Sequence, residues 1–366
     1  MAKTKIKTIA ILTGGGDCPG LNAVIRAVSK TAIYNYDIDV LGVEDGYLGL
    51  IENRLRPLRQ LDVSGILTTG GTILGTSNIA DPFHFPVKTN GKTILTDVSH
   101  KVISNLKKHN VDALICIGGD GTMASAAKLA KLGIPIMGVP KTIDNDLVGT
   151  DMTFGFDTAV TTATEAIDKV HTTASSHHRV MIIEVMGRYA GWIALHAGVA
   201  SGSDIILIPE IPFKISAITD FILERSALGK RFSIITVAEG AKEKGGSLTV
   251  QQTIKDSPDP IRLGGIAARL SAVIQQKTSL ETRPVVLGHI QRGGTPTPFD
   301  RVLATNYGYT AIKLLMENNV KNHLVVMQGG KFGSIPLSRV AGKIKPVPKD
   351  HPLVQAAKAV ATCFGV

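Results

Sequence analysis

The chain has 366 residues, enough for two or three units at about 150 residues each, or for one large two-lobed enzyme. At 44% hydrophobic and 19% charged it is too apolar to stay disordered, while its longest apolar runs, 112–117 and 204–208, are far too short to span a bilayer. The net charge of +10 raises the question of nucleic acid, but the basic residues are scattered and no zinc-finger, RNP or aromatic–basic pattern occurs, so anionic small substrates account for the sign.

Short β-branched runs alternate with helical patterns almost from end to end. The start, MAKTKIKTIAILTGGG, lacks the long apolar stretch and cleavage site of a secretory signal, and residues 6–13 read as a strand. Helix 20–34 and strand 38–43 follow. After a Gly- and Pro-rich stretch come helix 98–109, strand 112–117, helix 122–132 and strand 134–138. The alternation continues as helix 156–174, strand 180–186, helix 191–200, strand 204–208, helix 215–228 and strand 232–238. It closes with helix 261–277, strand 284–288, helix 299–317 and strand 323–328. Continuous apolar strands separated by helices imply an α/β fold with mainly parallel sheets covered on both faces. Cys18, Cys116 and Cys363 have neither metal nor disulfide spacing, which points to a reducing, cytoplasmic setting.

In such folds ligands collect beyond the carboxyl ends of strands. Four segments lie there. Thr13 to Asn22 (TGGGDCPGLN) puts three glycines between a strand and a helix, a place for anions, although a simple tight turn has the same composition. Ile117 to Thr122 (IGGDGT) follows an apolar strand; Asp120 could hold Mg²⁺ against a polyphosphate, and Thr122 could cap the next helix or donate to phosphate. Pro140 to Asp146 (PKTIDND) offers two carboxylates for different tasks and two donors, Lys141 and Thr142. A basic group, Arg179, Arg188, Arg283, His289 and Arg292, suits a phosphomonoester. Gly91-Lys92-Thr93 imitates the end of a Walker loop, but position 86 is Pro where that loop needs Gly; His171, His177 and His178 read as surface or structural.

Together GGGDCPGLNAVIR, GGDGT, PKTIDND, SSHHR, EVMGRYAG and GHIQRGGTPTPFDR resemble the phosphofructokinase family in its usual order, from about residue 8 to about 317. The resemblance implies two Rossmann-like three-layer domains with the active site in the cleft between them. The donor domain would comprise 1–155 plus about 290–320, and the sugar-phosphate domain 156–289 plus about 321–366. Asp144 would be the base at the sugar 1-hydroxyl and Asp120 would position Mg²⁺. Thr142, Arg188 and Lys141 would stabilise the phosphoryl group in flight. Gly15, Gly16, Gly119, Gly121 and Thr122 would hold the phosphates of ATP, with Asn78 standing where bacterial ATP enzymes usually place an arginine. Asp146, Met186, Gly187, Glu239, His289 and Arg292 would join Thr142, Asp144 and Arg188 around fructose 6-phosphate. Arg179 and Arg283 match arginines that reach a neighbouring subunit's sugar phosphate, which implies a homo-oligomer, dimer or tetramer, with shared sites.

For the donor, Gly121 leaves room for the nucleotide where an aspartate would crowd and repel it, favouring ATP. Lys141 is instead the residue of pyrophosphate enzymes, so a reversible pyrophosphate-dependent enzyme is the alternative, and a non-catalytic sugar-phosphate-binding protein the second. Lys30, Gln60 and His171 stand where the bacterial effector site expects arginines, leaving only Arg26 and implying weak or absent regulation by ADP or phosphoenolpyruvate. The acceptor could also be sedoheptulose 7-phosphate.

Overall fold

The computed structural model describes residues 6–89, 91–253 and 261–366. The first half runs β1 (Thr8–Thr13), α1 (Leu21–Tyr36), β2 (Asp39–Val43), α2 (Tyr47–Glu52), β3 (Leu55–Pro57), β4 (Phe85–Thr89), β5 (Lys92–Thr96), α3 (Ser99–Lys108), β6 (Ala113–Gly118), α4 (Asp120–Lys131) and β7 (Ile136–Pro140). Then come α5 (Phe156–His177), β8 (Val180–Val185), α6 (Trp192–Ala200), β9 (Ile205–Leu207), α7 (Ile215–Ala227), β10 (Ser233–Ala238), β11 (Val250–Thr253) and β12 (Ile261–Leu263). The chain closes with α8 (Ile266–Thr278), β13 (Thr282–Val286), α9 (Pro298–Met316), β14 (His323–Gln328), β15 (Lys331–Pro336) and α10 (Pro352–Ala359).

Two parallel sheets organise the molecule. The larger has the order β15-β14-β7-β6-β1-β2-β3, with only the edge strands β3 and β15 antiparallel to their neighbours. The smaller, β13-β8-β10-β9, is parallel throughout. Strands β6, β8 and β10 are buried along their whole length, as helices on both faces require, which is why ALICIG and SIITVA show no alternation. Glu184 breaks the apolar run of β8 for a local reason: its carboxylate accepts the amides of Gly265 at 3.0 Å and Ala267 at 2.9 Å, capping the start of α8. Among the described residues no helix is long and apolar enough to cross a membrane.

One apolar core joins the two sheets. It runs from Ile9, Ile115 and Val139 through Phe154, Phe156 and Ala163 to Ile183, Val185 and Ile234. Burying these side chains removes apolar surface worth about 25 cal/mol per Å², the main force holding the lobes together. The N-termini of α5 and α9 are knotted together beside it. Thr158 gives its amide (2.8 Å) and hydroxyl (2.6 Å) to one oxygen of buried Asp300, while Thr297 caps α9 and donates to Asp157 at 2.6 Å.

Three features depart from the sequence reading. Residues 261–263 form a strand and the helix starts only at Ile266, because Gly264 and Gly265 take φ of 140° and 86°, which no helix accommodates. The loop-rich stretch holds α2, β3 and the β4–β5 hairpin. Residues 323–336, expected with the second unit, are the outer strands of the seven-stranded sheet; β14 pairs with β7, and the chain crosses to the smaller sheet only after β15.

Candidate functional site

Strand order reverses beside β1, since β2 lies on one side and β6 on the other. The loops after β1 and β6 therefore flank a crevice at their carboxyl ends. The amide of Gly14 donates to the carbonyl of Ile117 at 2.9 Å, and that of Lys141 to Gly118 at 3.1 Å, which ties three strand ends together. Thr122 is not a cap: α4 starts at Asp120 behind Gly119, and the threonine lies buried in the first turn. A Cβ on Gly14 would come within 2.7 Å of its hydroxyl. Asp120 thus sits in the first turn of α4, where the helix dipole favours a carboxylate. Gly121 beside it faces open space. A third loop closes on the glycines: Thr76 donates to the Gly15 carbonyl at 2.6 Å, and Thr13 to that of Gly75 at 2.6 Å. Asn78, on this loop, is exposed.

The loop after β7 carries the acids. Asp144 donates its amide to the hydroxyl of Thr142 at 3.1 Å, and Asn145, at φ 48°, holds the turn by accepting the Thr153 amide at 3.0 Å. Burial pushes the Asp144 carboxyl up to about 6; Glu239 and Asp120 add to the rise, and Arg292 and Lys141 oppose it. Asp146 rises to about 7, through burial and then the charges of Asp144 and Asp120. Glu239, buried and near Glu184, rises to about 6. Asp120 after β6 and Glu239 after β10 thus lie near enough for their charges to bear on Asp144 after β7. One oxygen of Asp144 is buried there without a hydrogen-bond partner. Lys141 is also buried, and its ammonium donates to the Gly16 carbonyl; burial lowers its pKa, against the pull of Cys18, Asp17 and Asp144.

The smaller sheet supplies the opposite wall. Met186 follows β8, and its amide reaches the Oε1 of Gln291 at 3.3 Å. Gly187, at φ 137°, accepts the Gly240 amide at 3.1 Å, which sets Glu239 beside it. Arg188 lies over the Tyr189 ring at 4.9 Å. Arg292 spans the cleft to the Asp17 carbonyl at 3.1 Å and packs over Gly16, where a Cβ would meet its guanidinium at 2.6 Å. His289 is exposed on the same turn, Gly288–Arg292.

Two expected residues lie elsewhere. Arg179 precedes β8 and Arg283 is the second residue of β13, so both sit towards the amino ends of strands whose carboxyl ends lead to Met186 and His289. The length of β8 separates them from their own cleft by roughly 20 Å. Both pair with Glu281, at 2.9 Å and 2.6 Å. The sequence reading also missed three supporting residues: Gln291, fully buried within GHIQRGG; Thr76, in a stretch without periodicity; and Glu281, two residues before Arg283. For Gln291 the one available signal was a long polar side chain in a segment already singled out.

A phosphofructokinase family model matches residues 8–315. ATP-dependent 6-phosphofructokinase 2 of Clostridium perfringens is 52% identical, with 98% of each chain covered. ATP-dependent 6-phosphofructokinase of Spirochaeta thermophila is 47% identical, with 100% of this chain and 99% of the other covered. Among solved structures, Pichia pastoris phosphofructokinase in the T-state superposes with a TM-score of 0.78 at 31% identity, over 92% of this chain but only 35% of that longer one. A pyrophosphate-dependent phosphofructokinase from Marinobacter aquaeolei shares the fold, with a TM-score of 0.80 at 21% identity over 98% and 92% of the two chains.

Proposed function

The chain belongs to the phosphofructokinase family, and we propose that it transfers the γ-phosphoryl group of ATP to the 1-hydroxyl of fructose 6-phosphate. One observation supports the mechanism: the carboxylates of Asp120, Asp144 and Asp146 lie near enough for Asp120 to add to the rise in pKa that burial gives the other two, while Arg292 and Lys141 oppose the rise at Asp144.

Asp144 takes the proton of the attacking hydroxyl. A carboxyl raised to about 6 is still ionised at neutral pH, yet is more basic than an exposed one. Its unpartnered oxygen is free to accept that proton. Thr142, Lys141 and Arg188 bear on the phosphoryl oxygens, whose charge is the main thing to stabilise in phosphoryl transfer. The glycines at 15, 16, 119 and 121 leave room for the donor phosphates, with Thr122 packed beneath them. Glu239, Met186, Gly187, His289 and Arg292 surround the sugar.

The donor set fits Mg²⁺. Asp120, with Asp144 and Asp146 near enough to affect one another's charge, supplies hard oxygen ligands, and no ready cage of three or more His, Cys, Asp or Glu occurs among the described residues. Such an ion is typically shared between one or two carboxylates and the substrate's phosphates, where it neutralises developing charge. Arg179 and Arg283, too far from their own cleft, serve the phosphate of fructose 6-phosphate in a second copy, so the working enzyme is a homo-oligomer.

Assays with fructose 6-phosphate and equal concentrations of ATP or pyrophosphate test this reading. Turnover with ATP is expected; turnover with pyrophosphate alone would remove the donor assignment. A higher kcat/KM for sedoheptulose 7-phosphate would remove the acceptor.

A further inference from the structure

After β15 the chain leaves the larger sheet and crosses to the smaller one as a short strap, residues 343–351. On one side it grips the loop that carries the acids. Ile344 bridges antiparallel to Leu147, and the amide of Lys345 donates to the carbonyl of Asp146 at 2.7 Å. The ammonium of Lys345 donates to the carbonyls of Thr150 at 2.9 Å and Asp151 at 3.1 Å. On the other side the strap holds the segment that follows Met186, Gly187 and Arg188. The Lys345 carbonyl accepts the indole N–H of Trp192 at 2.9 Å. One oxygen of Glu210 accepts both the Val347 amide at 2.8 Å and the Gly191 amide at 3.0 Å. Trp192 is buried, with the Lys345 ammonium 5.5 Å above its ring and the His351 ring edge-on at 5.1 Å.

We propose that Lys345 and Glu210 are positioning residues for phosphoryl transfer, fixing the Asp144–Asp151 loop at a set distance from the Met186–Trp192 segment through one strap. The inference rests on the reading of Asp144 as the base. Its physical basis is that a nucleophile and its base must be held to within a fraction of an ångström, and two loops on separate sheets have no such constraint unless something ties them together. The charges facing the Lys345 ammonium are Asp151 and Asp146 on the loop, with His196 on the far side. Burial draws its pKa down to about 8, and the two aspartates hold it up.

Four full-length variants test this. In Lys345→Met, kcat should fall at least tenfold with both KM values within about threefold. Lys345→Arg, which keeps donors for the Thr150 and Asp151 carbonyls, should retain most of the kcat. Glu210→Ala should reproduce the kcat loss, and Glu210→Gln, whose amide oxygen can accept the same two N–H groups, should not. Amide exchange supplies a readout independent of turnover: in Lys345→Met, residues 144–151 and 186–192 should lose protection together while β6 and β8 keep theirs. Unchanged exchange in both loops would overturn the strap whatever the substrate proves to be. A kcat loss fully matched by a fall in folded fraction would reduce Lys345 to a stability residue. If Lys345→Met loosens both loops as expected but wild type gives no turnover with fructose 6-phosphate, the functional reading fails and the strap stands.

Discussion

The ammonium of Lys141, at the end of β7, donates to the carbonyl of Gly16, in the loop after β1. A charge is thereby held in a dry pocket at the glycine-lined end of the cleft, where it would otherwise be neutralised or expelled. For Lys141→Met, kcat/KM for ATP should drop roughly 10²-fold, in line with the loss of one preorganised positive group. The melting temperature should not fall, because the apolar side chain replaces a buried ammonium of similar length. Unchanged turnover with a lowered melting temperature would make Lys141 purely structural.

Asp144→Asn tests the base. A kcat loss of 10²–10⁴ is expected with sugar binding retained. The sign of the stability change follows from the raised carboxyl. Burial disfavours its ionised form, so native stability is greatest where the group is protonated and declines as pH rises from about 4 towards about 6. At pH 8 a neutral amide removes that penalty, so the variant should melt higher than wild type. In the wild type, kcat should fall as pH drops through about 6. A variant that is inactive and melts lower at pH 8 would contradict the electrostatic account.

Arg179 and Arg283 give a prediction about assembly. Asp144→Asn lacks its own base but keeps both arginines, and Arg179→Ala/Arg283→Ala keeps the base. Denatured and refolded together, the two should regain activity that neither has alone, because hybrid oligomers contain sites with both elements. No recovery, with mixed oligomers verified by mass, would return these arginines to a local role with Glu281.

Much of this was legible in the sequence because the fold is repetitive. Strands such as ALICIG, buried on both faces, show as unbroken apolar runs, and the loops that follow them hold the chemistry by rule. What stayed hidden depended on contacts between distant segments. Residues 323–336 read correctly as strand at the start, but nothing local says that β14 pairs with β7, 180 residues or more earlier. Helix 261–277 began too early because two glycines with positive φ are locally indistinguishable from a tolerated pair. Gln291, Thr76 and Lys345 act on the site through backbone groups, and a side chain that bonds a carbonyl leaves no pattern at its own position. The buried acid Asp300 was quoted only inside a motif; its bonds to Thr158, 142 positions away, explain why it is an acid at all.

That same pair predicts a large stability effect. Asp300→Ala would leave the amide and hydroxyl of Thr158 without their acceptor in a dry site, which costs about 1–3 kcal/mol for each orphaned group. Thr158→Val removes the hydroxyl, which also accepts the Thr297 amide at 3.0 Å, but keeps the Thr158 amide on the Asp300 carboxylate and should cost less. Denaturant unfolding at fixed pH checks the order; equal losses for the two variants would mean the amide bond contributes nothing.

Gly121→Asp separates donor choice from folding. The backbone at 121 has no positive φ, and a Cβ there would meet nothing within 4 Å, so the variant should fold with a melting temperature close to wild type. Its carboxylate would project into the open space beside Asp120, next to the first turn of α4. Two adjacent negative charges there repel a polyphosphate, and the added bulk occupies the volume that Gly121 leaves for a nucleotide. Turnover with ATP should therefore fall by at least 10²-fold, while any turnover with pyrophosphate, a smaller donor, should fall less. Rates measured with both donors at saturating fructose 6-phosphate decide the matter. Equal losses would mean that charge near the metal carboxylate, and not room for the nucleotide, sets the donor.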